Sequence, residues 1–193
     1  MTKDTGVAFH SDALLGKRVL LAIAGGIAAV ESVRLARELR RHQPDLTVIM
    51  SEDATKIISP LAVSWGSDTI VHQGWSSEMS QLEAFDMILI APATRNTISK
   101  HLHGIMDSPL LMALSAGRGR GSKLCFVPSM HSDLFDDPVT TELIDALIDE
   151  GSHVIINELN EGKLKQPDPV SIVADVCHIA NSNDSSKIVA ITM

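Results

Sequence analysis

Four short stretches hold the residues whose types could do chemistry, and each follows an apolar run. Gly25-Gly26-Ile27-Ala28 follows RVLLAIA, and Ser51-Glu52-Asp53 follows LTVIM. Pro92-Ala93-Thr94-Arg95-Asn96-Thr97 follows DMILIA, and Ser129-Met130-His131 follows KLCFVP. Glycines permit close backbone approach. Hydroxyl and amide side chains supply donors and acceptors, and helix starts present free N–H groups to anions. The combination suits a phosphate with a polar, sugar-like chain attached. Each stretch also has a plainer reading. Paired glycines after a strand commonly make a tight connection, and Thr94 and Asn96 suit helix capping. AGGIAA departs from G-x-G-x-x-G, and no acidic residue closes the second run as a dinucleotide ribose site requires. GRGRG, from Gly117 to Gly121, lacks GK[ST] and reads as a mobile surface loop. His101 and His103 are two apart, so they point to different sides of a helix and make no metal face. No serine stands in G-x-S-x-G, and neither cysteine has a readable catalytic context.

The elements that must position these stretches alternate in period. RVLLAIAGG, LTVIM, DMILIA, KLCFVP and HVIIN are short apolar runs of the kind that form strands buried on both faces. IAAVESVRLARELRR has apolar residues at helical spacing. The run to Ala91 is expected to turn at Pro92 into a helix. ATKIISPLAVSW suggests a short helix with a break near Pro60, and 66–80 shows weak periodicity. DPVTTELIDALIDEG carries Pro138 early and Gly151 just past its end, as helices prefer. DPVSIVADVCHIA is a last helix. The tail NSNDSSKIVAITM reads either as a linker with one added strand or as a docked arm. Strands alternating with helices predict an α/β fold: a Rossmann-like, flavodoxin-like three-layer arrangement around a mostly parallel sheet. In such sheets the loops at the strands' carboxyl ends share one edge, where ligands bind.

Composition narrows the function classes. The 193 residues fit one domain, 1–193, with a core of about 17–181 and a tail at 182–193. A net charge of −8 argues against a general nucleic-acid or anionic-membrane surface. Four Phe, two Trp and no Tyr leave little for a base-stacking platform. No leader or bilayer-spanning stretch is evident. Cys125 and Cys177 form no CxxC, so a reduced, cytoplasmic protein is expected.

Four blocks resemble the homo-oligomeric flavin-containing cysteine decarboxylase family of FMN flavoproteins. LLAIAGGIAAVESVRLARELRR is similar to its T-G-G-I-A-A-x-K block, and VIMSEDATKIISPL to V-x-x-T-x-x-A-x-x-F-I. DMILIAPATRNTISKHLHGIMDSPLL resembles A-D-L-x-x-I-A-P-A-T-A-N-T-I-x-K, continued by A-x-G-I-x-D-x-L-L. FVPSMHSDLFDDP resembles P-A-M-N-x-x-M-W-x-x-P, and EGKLKQPDP more faintly G-R-M-x-E-P. The resemblance implies a homotrimer, or a multiple of one, holding FMN. It places Gly25, Gly26 and Ile27 at the flavin and its ribityl phosphate, and Ser51 on the FMN. Pro92, Ala93, Thr94, Arg95 and Asn96 would line the flavin, with Ser129 and Met130 against it. The apolar helix region SPLLMALSAG, half exposed in a monomer, is a further reason to expect self-association.

Three positions depart from the family pattern. Glu78 stands where decarboxylating members carry a catalytic histidine, and His72 is off that register. His131 replaces the Asn of P-A-M-N, and the late cysteine is absent from VIINELNEGK. These departures lead to the expectation of an FMN oxidoreductase passing hydride or electrons to a small acceptor such as a dihydropterin. The dihydromethanopterin reductase type is the nearest likeness, with His131 catalytic and NAD(P)H or ferredoxin as donor. The alternatives are decarboxylation of a phosphopantothenoylcysteine-type substrate, and an FMN electron carrier with no substrate of its own.

Overall fold

A computed structural model describes residues 6–77, 82–157, 159–160, 163–182 and 189–192. The strands are β1 (Arg18–Ile23), β2 (Asp45–Met50), β3 (Val71–Gln73), β4 (Met87–Ala93), β5 (Lys123–Pro128), β6 (Met130–His131), β7 (His153–Asn157), β8 (Leu159–Asn160), β9 (Lys163–Leu164) and β10 (Val189–Thr192). The helices are α1 (Ser32–Arg40), α2 (Glu52–Thr55), α3 (Pro60–Ser67), α4 (Arg95–Leu102), α5 (Pro109–Arg120), α6 (Ser132–Phe135), α7 (Pro138–Asp149) and α8 (Pro169–Asn181), with a 3-10 turn at Ile27–Glu31. Seven strands form one parallel sheet in the order β10-β7-β5-β4-β1-β2-β3. β6, β9 and β8 make a small antiparallel sheet.

The period of two along each strand divides the apolar side chains between two cores. Val19, Leu21 and Ile23 of β1 face one core, with Leu35 and Leu39 of α1, Val63 of α3, and Ile172 and Val176 of α8. Leu20 and Ala22 face the other, with Ile98 of α4, Leu110 and Leu114 of α5, and Leu143 and Leu147 of α7. Helices on both faces make the expected three layers. Helices α3, α5, α7 and α8 each start with proline in the first turn. Ser59, Ser108, Asp137 and Asp168 cap them by accepting from backbone N–H groups.

Several local expectations change. The fourth strand does not stop at Ala91. It runs through Pro92 to Ala93 with a cis Ala91–Pro92 bond, and its register with β5 shifts between Ile90 and Ala93. GRGRG is no loop: helix α5 runs to Arg120, and Gly121 ends it at φ 78°. A Cβ on Gly117 would lie 2.3 Å from Ile88 Cδ1, so that glycine lets α5 lie close on the sheet. SPLLMALSAG supplies core residues, Leu110, Leu111 and Leu114 among them, so it gives no exposed apolar face. Strand β3 was not legible because three residues carry no period. The tail does add a strand, β10, parallel to β7.

The α4–α5–α7 layer is tied at one point. His101 is fully buried beside Phe126, and its Nε2 lies 2.8 Å from Glu150 Oε1. Ser152 Oγ donates to the same oxygen at 2.7 Å, and Arg118 donates to Oε2 at 2.8 Å. Burial alone would raise the Glu150 pKa, but the hydrogen bonds from His101, Ser152 and Arg118 outweigh it and hold the carboxyl at about 2. A carboxyl depressed in the fold stabilises above its unfolded pKa and loses that contribution as pH falls through its folded one. For Glu150 the window runs from 4.5 down to about 2. Denaturant unfolding across that range should show wild-type stability falling more steeply than that of Glu150→Gln. Parallel curves would show that Glu150 does not contribute to the acid limb.

Candidate functional site

The strand order reverses between β1 and β4, so their carboxyl ends open a crevice at the switch point. Gly25-Gly26 leaves β1 on one side of it and Thr94 leaves β4 on the other. A Cβ on Gly25 would stand 2.3 Å from Asp53 Cβ and 3.0 Å from its carbonyl carbon. The turn after β2 is therefore pressed against the turn after β1, and only glycine fits between them. At Gly26 a Cβ would meet Thr94 Cγ2 at 3.4 Å, an ordinary contact.

Two cavities flank this crossing. The first, of about 370 Å³, is polar and is lined by Gly25, Ser51, Glu52, Asp53, Thr94, Asn96, Thr97, Lys100, Asp107, Ser108, Leu110 and Leu111. Three helix starts converge on it. Ser51 Oγ accepts from Ala54 N–H at 3.2 Å, Thr94 Oγ1 from Thr97 N–H at 3.2 Å, and Ser108 Oγ from Leu111 N–H at 3.3 Å. A hydroxyl that accepts keeps its own proton to donate, so capping and ligand binding are compatible in Ser51 and Ser108. Thr94 Oγ1 also lies 2.9 Å from Thr97 Oγ1 and shares a hydrogen bond with it. The starts of α4, of α5 and of the single-turn α2 face one space. Lys100 pairs with Asp107 at 2.6 Å, and Lys56 with Asp53 at 2.7 Å. The Lys56 hydrogen bond holds the exposed Asp53 carboxyl below its usual range.

The second cavity, of about 730 Å³, is mainly apolar. Ile27, Ala28, Val30, Glu31 and Arg34 line one side, and Ser129, Met130, His131 and Lys165 to Pro169 the other. The β6–β9 pairing sets Met130 opposite Leu164 and His131 opposite Lys163 in register. His131 is exposed. Its Nδ1 lies 3.3 Å from Asp133 N and 3.4 Å from Asp133 Oδ2.

Of the residues expected from the sequence, Gly25, Ser51, Thr94 and Asn96 meet at the polar cavity, and Ile27, Ser129, Met130 and His131 at the apolar one. Pro92 and Ala93 are buried strand residues whose carbonyls accept from Ala24 N–H and Ser129 N–H, both at 3.3 Å. Arg95 turns away to Asp137 at 2.6 Å. His72 sits in edge strand β3 opposite Ile49 and lines neither cavity. Glu78 lies outside the described residues. Lys100, Asp107, Ser108 and Gln166 were missed. The Ser-Pro pair before an apolar run is a capping signal that could have found Ser108. Neither cysteine is a ready nucleophile. Burial, then nearby Asp175, pushes the Cys125 thiol far up. Burial, then the Glu38 charge, pushes Cys177 up to about 11. Among the described residues no cluster of His, Cys, Asp or Glu could hold a metal, and no helix is long and apolar enough to cross a membrane.

The sequence profile of the family described as Flavoprotein matches residues 8–193. The chain belongs to that family. A flavin is the cofactor expected of such a chain, in keeping with the FMN anticipated from the four loops. The coenzyme A biosynthesis bifunctional protein CoaBC of Thermococcus kodakarensis is 38% identical over 165 residues, which are 82% of this chain and 41% of that protein. CoaBC of Methanocaldococcus jannaschii is 32% identical over 178 residues, 90% of this chain and 43% of that protein. The chain thus spans about four-tenths of the length of these relatives. Among solved structures, a PPC decarboxylase mutant complexed with pantothenoylaminoethenethiol matches at TM-score 0.74 and 20% identity, over 86% of this chain and 99% of that one. MrsD from Bacillus sp. HIL-Y85/54728 matches at TM-score 0.75 and 19% identity, over 88% and 98%. These likenesses bear out the flavodoxin-like fold.

The lead expectation of an oxidoreductase of the dihydromethanopterin reductase type is overturned. The curated relatives are coenzyme A biosynthesis proteins, and no comparison supports an NAD(P)H or ferredoxin donor. The three departures bear on which residues handle the substrate. They did not license a change of reaction class. Thr94→Ala should cost about 1 kcal/mol of stability through the lost cap and also weaken flavin binding, read by fluorescence titration. Stability loss with unchanged flavin affinity would confine Thr94 to capping.

Proposed function

We propose that this chain, acting as one domain over residues 1–193, holds FMN and decarboxylates an acylated cysteine of the phosphopantothenoylcysteine type. The observation that carries the reading is the pairing of cavities across Gly25-Gly26-Ile27: a polar cradle on one side, and on the other an apolar space of about 730 Å³. The CoaBC relatives, named for coenzyme A biosynthesis, and the PPC decarboxylase named among the structures of the same fold favour decarboxylation over other flavin chemistry.

The residues present fit the cofactor. The hydroxyls of Ser51, Thr94 and Ser108, the helix starts they cap, and Lys100 suit a phosphate ester and a polyol chain. Ile27, Ser129 and Met130 offer edges for a flat ring. When bound, the flavin supplies a reversible two-electron acceptor. The chain's own work is to hold the substrate in the apolar cavity, keep bulk water from it and move a proton. We assign the proton to His131, whose imidazole lines that cavity. An Nδ1 that accepts from Asp133 N–H leaves the neutral ring's proton on Nε2. Self-association to a homotrimer, or a multiple of it, would cover Leu61, Trp65, Ile70 and Trp75, all more than half exposed on or beside α3 and β3.

The test is carbon dioxide release from phosphopantothenoylcysteine by FMN-reconstituted protein. No release by protein with FMN bound would overturn the reading. His131→Ala should slow release by about 10²–10⁴-fold and leave FMN bound, whereas His72→Asn should leave the rate unchanged. An unaltered rate in His131→Ala would remove that residue from the reaction. Light scattering that showed a monomer at micromolar concentration would count against the trimer.

A further inference from the structure

Gln166 has both side-chain polar atoms, Oε1 and Nε2, buried with no hydrogen-bond partner, and it lines the apolar cavity. Among the described residues the other buried side chains without partners, such as Ser32 and His153, each leave one atom unpaired. A carboxamide with its donor and its acceptor both unmet is destabilising, because water satisfies both in the unfolded chain. The backbone around it is fixed from both sides. Before it, β9 pairs with β6. After it, Asp168 caps α8 through Val170 N–H at 2.9 Å and takes a hydrogen bond from Arg34 at 3.2 Å. Arg34 is itself paired with Glu31 at 2.9 Å. The segment is thus anchored on the first helix layer, and Gln166 is carried with it to the lining of the apolar cavity, its carboxamide buried.

We propose that Gln166 reads an amide-type edge of the bound ligand, accepting its N–H at Oε1 and donating to its C=O from Nε2. No hydrogen bond holds the carboxamide in its present position, so turning it toward a ligand breaks none. A side chain offering one donor beside one acceptor matches a group that offers the reverse. Under the function proposed above, on which this inference rests, the flavin's pyrimidine edge offers both partners, an N–H between two carbonyls. The trans secondary amide that joins the acyl chain to cysteine points its N–H and its C=O to opposite sides, so the carboxamide meets one of them there. Unpaired polarity kept in the ligand-free wall in this way gives specificity, because a ligand without the edge leaves the carboxamide unmet.

Gln166→Leu keeps the volume and removes the orphan. Its ligand-free form should melt about 2–4 °C higher than wild type. FMN affinity is measured by titrating the apoprotein. Substrate affinity is measured by calorimetry on FMN-saturated protein with phosphopantothenoylserine, whose hydroxyl replaces the reacting thiol while the amide is kept, and with its N-methyl counterpart. Gln166→Leu should weaken one of the two ligands by about tenfold to a hundredfold. Weaker serine analogue with FMN unchanged, and loss of wild-type discrimination against the N-methyl compound, assigns the substrate amide. Weaker FMN with the analogue unchanged assigns the flavin edge. Both affinities unchanged, or a lower melting temperature with both unchanged, would overturn the proposal and make Gln166 structural. Failure of the wild type to bind FMN or the serine analogue would instead overturn the decarboxylase reading, and this assignment with it.

Discussion

The site depends on one close approach, at Gly25. There the turn leaving β1 and the turn leaving β2 are packed so tightly that a methyl group would stand 2.3 Å from Asp53 Cβ. This contact fixes where Ser51 and its helix start relative to β1. The register of β1 with β4 then fixes where Thr94 and α4 start. Ser108 and α5 join through the buried face that α5 lays on the sheet, where Gly117 admits Ile88. The convergence of three helix starts is thus a consequence of sheet register and two glycine contacts.

The two cavities divide the physical labour. Around the first, hydroxyls and ion pairs offer directional polar contacts. Around the second, Ile27, Val30, Met130, Pro167 and Pro169 offer area with little direction. Specificity in the second space must come from its few polar groups, which here are Ser129, His131, Gln166, Lys165 and the Arg34 ion-pair cluster. Ile27 lies between the two systems, one residue beyond Gly26, so small shifts in the glycine turn reach both.

Much of the architecture was legible in the sequence because burial on both faces leaves an unmistakable apolar run. RVLLAI, KLCFVP and HVIIN are such runs, and each proved a central strand. Ser108, Asp137 and Asp168 carry their helix starts openly, each followed by proline. What was not legible depends on packing between distant segments. Nothing local distinguishes Gly117 in a helix facing the sheet from a glycine in a loop, and GRGRG therefore read wrongly. Arg95 looked like a cofactor contact by position, yet its charge is taken by Asp137 from a helix more than forty residues on. The reaction class was misread for a related reason: single substitutions at His131 and in the last loop carried too much weight against the whole pattern. Gln166 has no signal of its own, because an unsatisfied carboxamide exists only once the fold closes around it.

The burial of the two sulfurs has a practical side. Both thiols of this chain stay protonated near neutrality, one sealed in the core and the other half-covered with its pKa near 11. Thiolate-directed reagents react in proportion to the thiolate present. The protein is therefore close to silent toward them, while a small free thiol in solution is not. A thiol-bearing compound can be counted by colorimetric reagents in the protein's presence without correction for the protein's own sulfur. Equally, a cysteine introduced anywhere on the surface would be the dominant site for attaching a probe.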